Sequence, residues 1–178
     1  MIRNLLRTVF ASLFMFMGLT ISVKADITPQ LIQEWNRQPS NVQWDVFYKS
    51  TSFNVVDELP WHSPDLSDTW AYTSKYADNG VVSHIDIVVK RGYEDTLTHE
   101  VGHVLGDYQH FLNWWIYRPE FITIWQTEKT RCPLLYQGLN DVREYFACAY
   151  DAYLRYPKIL KNACPSTYNY IKLVLQYT

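Results

Sequence analysis

The sequence predicts an α+β fold, with a small β-sheet in the N-terminal half and helices in the C-terminal half. Segments rich in β-branched and aromatic residues lie between residues 42 and 90. From residue 95 onward, apolar residues recur at intervals of three and four, which is the helical period. The chain contains no internal repeat and no low-complexity tract. Residues 26–178 have a length that suits one domain with a real core.

Residues 1–25 have the organisation of a secretory signal peptide. Arg3 and Arg7 precede an almost wholly apolar run from Val9 to Ile21, and Ala25 ends a small-residue cleavage site. That run is shorter than the roughly 20 residues of a bilayer span. We therefore expect a secreted protein with no stable membrane insertion after cleavage, and residues 26–178 as a single domain.

Net charge argues against a nucleic-acid partner. The formal charge of the chain is −2, and the predicted leader removes basic residues but no acidic one. No basic patch with interleaved aromatic residues occurs in the sequence. We expect a monomer that meets a protein or peptide substrate.

Local patterns predict the elements of an α/β lobe over residues 26–93. A helix should begin after Thr28, because Thr-Pro is typical of a helix start. Alternating and β-branched residues predict the strands, and two prolines predict a loop between the first and second of them. The predicted elements are a helix Ile27–Asn36, strands Val42–Lys49, Thr69–Tyr76 and Val81–Lys90, and a loop Asn54–Asp68.

The strand Val81–Lys90 has two possible positions in the sheet. An edge strand beside a catalytic centre can pair with an extended peptide through main-chain hydrogen bonds. An ordinary interior strand would have the same sequence pattern. The sequence does not choose between them.

The segment His99-Glu100-Val101-Gly102-His103 is an H-E-x-x-H motif. Histidines four residues apart lie one turn apart on the same helix face, so both can reach one metal ion. Zinc accepts such nitrogen ligands and leaves room for a third protein ligand and a water. Glu100 is spaced to act as the general base toward that water. The motif predicts one Zn²⁺ per chain, held by His99 and His103.

The surrounding residues place this motif on an amphipathic helix. One stripe is apolar and should pack into the core, while His99 and His103 fall on the opposite side with Asp107 beside them. Gly102 and Gly106 lie near the histidine side and should let another element approach closely. The apolar stripe consists of Leu97, Val101, Val104, Leu105 and Tyr108.

Three residues compete as the third metal ligand. His110 misses the spacing of the H-E-x-x-H-x-x-G-x-x-H pattern by one residue. Glu120 follows His103 by slightly fewer residues than in thermolysin-like enzymes. Glu144 lies on a helix whose opposite face is apolar, and the small residues Ala147 and Cys148 beside it favour close packing. Glu144 is the preferred candidate.

The motif at residues 99–103, together with Glu144-Tyr145-Phe146-Ala147-x-Ala149, resembles the lethal-factor-like zinc metallopeptidases. This group includes the catalytic domain of anthrax lethal factor and the Pro-Pro endopeptidases. The resemblance implies a zincin-like, two-lobed fold, with a small curved sheet and helices in the N-terminal lobe. The second lobe, residues 94–178, would hold the active-site helix and further helices. It also implies zinc bound by His99, His103 and Glu144, with Glu100 as base.

Relatives in that group use a tyrosine seven residues before the ligand glutamate to stabilise the oxyanion. This chain has Gln137 there and Tyr136 one residue earlier, so the resemblance implies Tyr136 for that role. We therefore expect a secreted zinc-dependent endopeptidase. The alternatives are a non-catalytic secreted zinc-binding protein and a peptidase of another clan with Glu120 or His110 as third ligand.

Cysteine usage fits export. Cys132, Cys148 and Cys164 allow one disulfide and one free thiol. The sequence does not choose among the three pairings.

Overall fold

A computed structural model describes residues 27–48, 51–59, 70–78, 81–107, 115–132 and 140–178. Within these ranges the chain forms an α+β fold of three strands and seven α-helices. The predicted signal peptide lies outside them. None of the described helices has both the length and the apolar character that a bilayer crossing requires.

The coarse order of the elements is the one predicted for a two-lobed protein, with an α/β segment before the motif helix and further helices after it. Two helices and the sheet come first, then the helix of the H-E-x-x-H motif, then the C-terminal helices. One 3-10 turn, Glu94–Thr96, lies between the last strand and the motif helix, and another, Trp115–Tyr117, lies between the motif helix and the next helix. The elements are α1 Pro29–Arg37, α2 Ser40–Tyr48, β1 Thr51–Val56, β2 Ala71–Asp78, β3 Val81–Lys90, α3 Leu97–Asp107, α4 Pro119–Glu128, α5 Val142–Arg155, α6 Pro157–Ala163 and α7 Pro165–Tyr177.

The sheet has the strand order β1-β3-β2. β1 runs parallel to β3, with Thr51 opposite Ile85, and β2 runs antiparallel to it, with Thr73 opposite Ile87. β3 is therefore the interior strand of the described sheet, which is one of the two positions that the sequence left open for Val81–Lys90. Among the described strands, β2 is the edge strand that contacts the motif helix α3.

Two predictions for the N-terminal lobe are wrong. Residues 42–48 of the predicted strand Val42–Lys49 belong to helix α2, and Lys49 lies outside the described residues. The alternating pattern was misleading, because among the described side chains of residues 42–47 only Val42 and Val46 are buried, one helical turn apart, while Trp44 is 52% exposed. The second wrong prediction is the start of the loop Asn54–Asp68. The first strand, β1, runs from Thr51 to Val56, so half of it lies within the predicted loop. Its backbone pairs with β3, which is distant in sequence.

The predicted first helix is confirmed, with a shift of two residues at its start. Thr28 caps α1 by accepting a hydrogen bond from the Leu31 amide at 3.1 Å, and Pro29 opens the first turn. Leu31 and Glu34 are its buried residues. This helix packs beside the N-terminal end of α3.

The apolar stripe predicted for α3 forms the centre of the core. Its described members are at most 1% exposed, and they meet the inward side chains of β3. Burying such side chains contributes about 1.5–3 kcal/mol each. The residues involved are Leu97, Val101, Val104 and Leu105 from α3, and Ile85, Ile87 and Val89 from β3.

Helices α3 and α5 pack closely enough that their backbones touch. A Cβ atom at Gly102 would lie 2.7 Å from the Cα of Ala147, and one at Gly106 would lie 2.7 Å from the Phe146 ring. Only glycine permits this approach, as the sequence predicted for both positions. The contact places the polar face of α5 directly against the histidine face of α3.

A buried carboxylate links the helices of the C-terminal lobe to one another. Glu128 of α4 accepts hydrogen bonds from the amides of Ser166 and Thr167 and from the Thr167 hydroxyl. These groups stand at the start of α7, where a helix favours negative charge. Thr167 in turn hydrogen bonds to Tyr145 of α5 at 2.7 Å. Helices α4, α5 and α7 are thereby held as one unit.

Candidate metal centre and active site

Three predicted ligands meet where α3 faces α5. His99 and His103 lie one turn apart on α3, and Glu144 lies in the first turn of α5. The two Nε2 atoms are 3.1 Å apart. Glu144 Oε2 lies 3.2 Å from His99 Nε2, and Oε1 lies 3.4 Å from His103 Nε2.

These distances suit a tetrahedral zinc site. Zinc binds imidazole nitrogen at about 2.0–2.1 Å and carboxylate oxygen at about 2.0–2.2 Å. Atoms at that range around a tetrahedral ion stand about 3.3–3.5 Å from one another. The observed separations of 3.1, 3.2 and 3.4 Å are close to this value. Two imidazoles and one carboxylate are also a usual donor set for catalytic zinc.

Glu100 lies between the two histidines and is held by the edge strand. It is only 5% exposed. The Thr73 hydroxyl on β2 donates to its Oε2 at 2.6 Å. Thr73 was not identified from the sequence, and no local pattern marks it, since its role depends on the position of β2 beside α3.

Burial and mutual contact shift the pKa values of these groups. Burial raises the pKa of Glu100, against the opposing effects of His99 and the Thr73 hydrogen bond. Burial and the neighbouring His99 lower the pKa of His103 to about 4. The hydrogen bond with His99 lowers the pKa of Glu144. At neutral pH an uncharged His103 and an ionised Glu144 are the forms that bind metal. Burial lowers the pKa of His99, but hydrogen bonds with Cys148 and Glu144 outweigh it and raise that pKa to about 10. A metal ion that binds His99 must therefore displace its proton.

Only one of the other third-ligand candidates falls in the described part of the chain. Glu120 is an exposed residue at the start of α4 and does not belong to the group formed by His99, His103 and Glu144. His110 lies outside the described residues, and so does Tyr136. The proposed role of Tyr136 therefore stays a prediction.

A buried network of hydrogen bonds holds Thr98, in the first turn of α3. Glu34 accepts hydrogen bonds from Thr98 at 3.1 Å and from Arg155 at 2.7 Å. Gln38 donates to Thr98 at 3.0 Å and accepts from Tyr150 at 2.7 Å. The network joins α1 and α5 to the residue beside His99. Sequence reasoning missed it because its partners are up to 121 positions apart.

Comparison with known proteins identifies a family and a similar fold. The family described as "Anthrax toxin lethal factor, N- and C-terminal domain" matches residues 67–174. The solved structure of the Pro-Pro endopeptidase PPEP-2 from Paenibacillus alvei has a similar fold, with a TM-score of 0.57 and 18% sequence identity. That likeness covers 85% of this chain and 95% of the other. No curated protein matches. Because the family match spans more than half of the sequence, the chain belongs to the lethal-factor-like metallopeptidase family.

Proposed function

We propose that this protein is a secreted, monomeric, zinc-dependent endopeptidase that hydrolyses peptide bonds of a protein substrate. The observation that carries the proposal is the convergence of His99 Nε2, His103 Nε2 and a Glu144 carboxylate at the separations of a tetrahedral site. One zinc ion per chain would supply Lewis acidity there, which lowers the pKa of water and polarises a carbonyl.

Glu100 is the proposed general base. Its carboxylate takes a proton from the attacking water and later delivers it to the nitrogen of the leaving amine. Thr73 fixes one carboxylate oxygen through its hydroxyl, so the orientation of Glu100 is set before substrate arrives. A raised pKa suits this exchange, because an effective base has a pKa nearer to the working pH.

The edge strand β2 is the proposed platform for the substrate backbone. An extended peptide can add to such an edge through main-chain hydrogen bonds. β2 carries Thr73, which touches Glu100, so a peptide along this edge passes the base. This moves the platform from Val81–Lys90, where the sequence placed the candidate edge, to Ala71–Asp78.

Export is part of the same proposal. Its support is the pattern in residues 1–25, a basic start followed by an apolar run and a small-residue cleavage site. We expect purified protein from the culture medium to begin at Asp26. An N-terminal sequence that begins at Met1 would contradict the proposed cleavage.

Metal content tests the ligand assignment. We expect elemental analysis to find one zinc per chain in the wild type, loss of zinc in Glu144→Ala, and full zinc content in the matched control Glu120→Ala. Loss of zinc in Glu120→Ala alone would move the third ligand to α4. A wild type without zinc would refute the metal centre.

A second comparison separates catalysis from structural zinc binding. Glu100→Gln should keep its zinc, because Glu100 is not a ligand, while hydrolysis of a peptide library falls by about 10²–10⁴-fold. A non-catalytic zinc-binding protein would show no hydrolysis in the wild type. Equal hydrolysis by wild type and variant would eliminate Glu100 as the base.

A further inference from the structure

The second ring nitrogen of His99 faces a cysteine. The Nε2 atom is directed toward His103 and Glu144, so Nδ1 points away from the metal position. The Sγ atom of Cys148, on α5, lies 3.6 Å from this Nδ1. This separation is within hydrogen-bonding range for sulfur.

Zinc-bound histidines usually donate the other ring N–H to a carboxylate, a backbone carbonyl or a water. A carboxylate does lie nearby, since Asp151 follows Cys148 by one turn of α5. However, Asp151 accepts a hydrogen bond from Arg155 Nε at 2.6 Å, and Arg155 also bonds to Glu34. The carboxylate is thus engaged by the arginine, and a thiol faces the imidazole.

The position of this sulfur is set by the backbone contact between the two helices. Ala147, the neighbour of Cys148, is fully buried against Gly102, where a Cβ would come within 2.7 Å of its Cα. Gly102 itself lies between His99 and His103. The helix that supplies the ligand Glu144 therefore also brings Cys148 to the ring of His99.

We propose that Cys148 is a positioning residue for His99. Its sulfur accepts the Nδ1 hydrogen, which selects the tautomer with Nε2 open to the metal and holds the ring in that orientation. The proposal rests on the proposed zinc site and adds a residue that the family assignment and the H-E-x-x-H motif do not include. Outer partners of this kind contribute about 10–100-fold to metal affinity.

The test measures zinc affinity by competition with a chromophoric chelator in the purified chain. Cys148→Ala, which removes the acceptor, should bind zinc about 10–100-fold more weakly than the wild type. Cys148→Asp should bind at least as tightly as the wild type, because a carboxylate is the usual partner and reaches further than a thiol. Tyr153→Phe is the control, since it removes one polar atom from the same helix.

The two Cys148 variants separate positioning from a general effect on folding. A carboxylate at this half-buried place should lower the melting temperature while it preserves metal affinity, which a purely structural role would not do. Equal affinity in Cys148→Ala and wild type would overturn the proposal, as would a tenfold loss in Cys148→Asp. An equal loss in Tyr153→Phe would also overturn it. A wild type that binds no zinc would refute the metal site itself.

Nuclear magnetic resonance gives an independent readout. In the zinc-loaded wild type, the Nδ1 proton of His99 should exchange slowly with water, because it is bonded to sulfur in a largely buried place. In Cys148→Ala the same proton should exchange faster. Unchanged exchange would contradict the proposed bond even where the affinities differ.

Discussion

Gly102→Ala is the substitution that most directly tests the geometry of the metal centre. The added methyl would lie 2.7 Å from the Cα of Ala147, 3.2 Å from its carbonyl oxygen and 3.3 Å from its Cβ. Two of these neighbours are backbone atoms, which cannot move without moving α5. Ordinary contact between carbon atoms is about 3.5–4.0 Å, so the two helices must separate locally by about 1 Å.

The expected effect on stability is small, and the effect on metal binding is large. Overpacking costs about 1–3 kcal/mol, and replacing glycine by alanine within a helix offsets about 1 kcal/mol of this. The net loss is at most about 2 kcal/mol, which for a chain of this size lowers the melting temperature by at most about 8 °C. Metal sites tolerate changes of only about 0.2 Å in ligand distance. A shift of about 1 Å between α3 and α5 should therefore weaken zinc binding more than tenfold.

Calorimetric melting of the metal-free protein and chelator competition measure the two effects separately. Gly106→Ala is the matched control, because its methyl would meet the side chains of Phe146 and Ile116 one turn beyond His103. That variant should lose stability while its zinc affinity changes less than threefold. Zinc affinity of Gly102→Ala equal to that of the wild type would refute the argument that the glycine contact sets the position of Glu144.

Three further predictions concern the rest of the fold. Burial raises the pKa of Glu128, but hydrogen bonds at the start of α7 outweigh this and lower it. This carboxylate should therefore stabilise the protein above about pH 4.3 and lose that contribution as the pH falls through the lower folded-state pKa. In urea unfolding, Glu128→Gln should remove this pH dependence. Arg155→Met leaves Glu34 buried without its closest cation and should cost about 3 kcal/mol of unfolding free energy. Cys132 and Cys164 are buried and are not joined by a disulfide in the structure, and burial raises the pKa of Cys164 while the neighbouring Cys132 opposes this. In exported protein these two cysteines should form a disulfide, seen as a linked peptide pair under non-reducing conditions.

Each of these has a control or a contrary outcome. Arg91→Met removes a partner of Asp57 from an exposed ion pair and should cost less than about 1 kcal/mol. A cost in Arg155→Met no larger than this would show that the buried network contributes little. A wild type and Glu128→Gln with parallel pH profiles would contradict the lowered pKa. A linked peptide that contains Cys148 would contradict both the core disulfide and the free thiol beside His99.

The sequence alone was sufficient to place the candidate ligands on their helices. The spacing of His99 and His103 and the apolar stripe that begins at Leu97 are properties of one helix, so a single period describes both. The same helical period placed Glu144 opposite the apolar face of α5. The small residues Ala147 and Cys148 beside it indicated that another helix packs closely there. These features depend on neighbours within a few turns, which is why local patterns predict them.

The tertiary structure decided what depends on distant partners. β1 is a strand because β3 supplies its hydrogen bonds. Four of the six residues 51–56 are β-branched or aromatic, but the partner strand lies about 30 positions away, outside any local pattern. The same pairing made β3 the interior strand and gave β2 the edge beside Glu100. Thr73 and Cys148 acquire their contacts with the site only when β2 and α5 pack against α3. Each residue's chemistry is present in the sequence, but its partner is chosen by packing between elements that lie far apart along the chain.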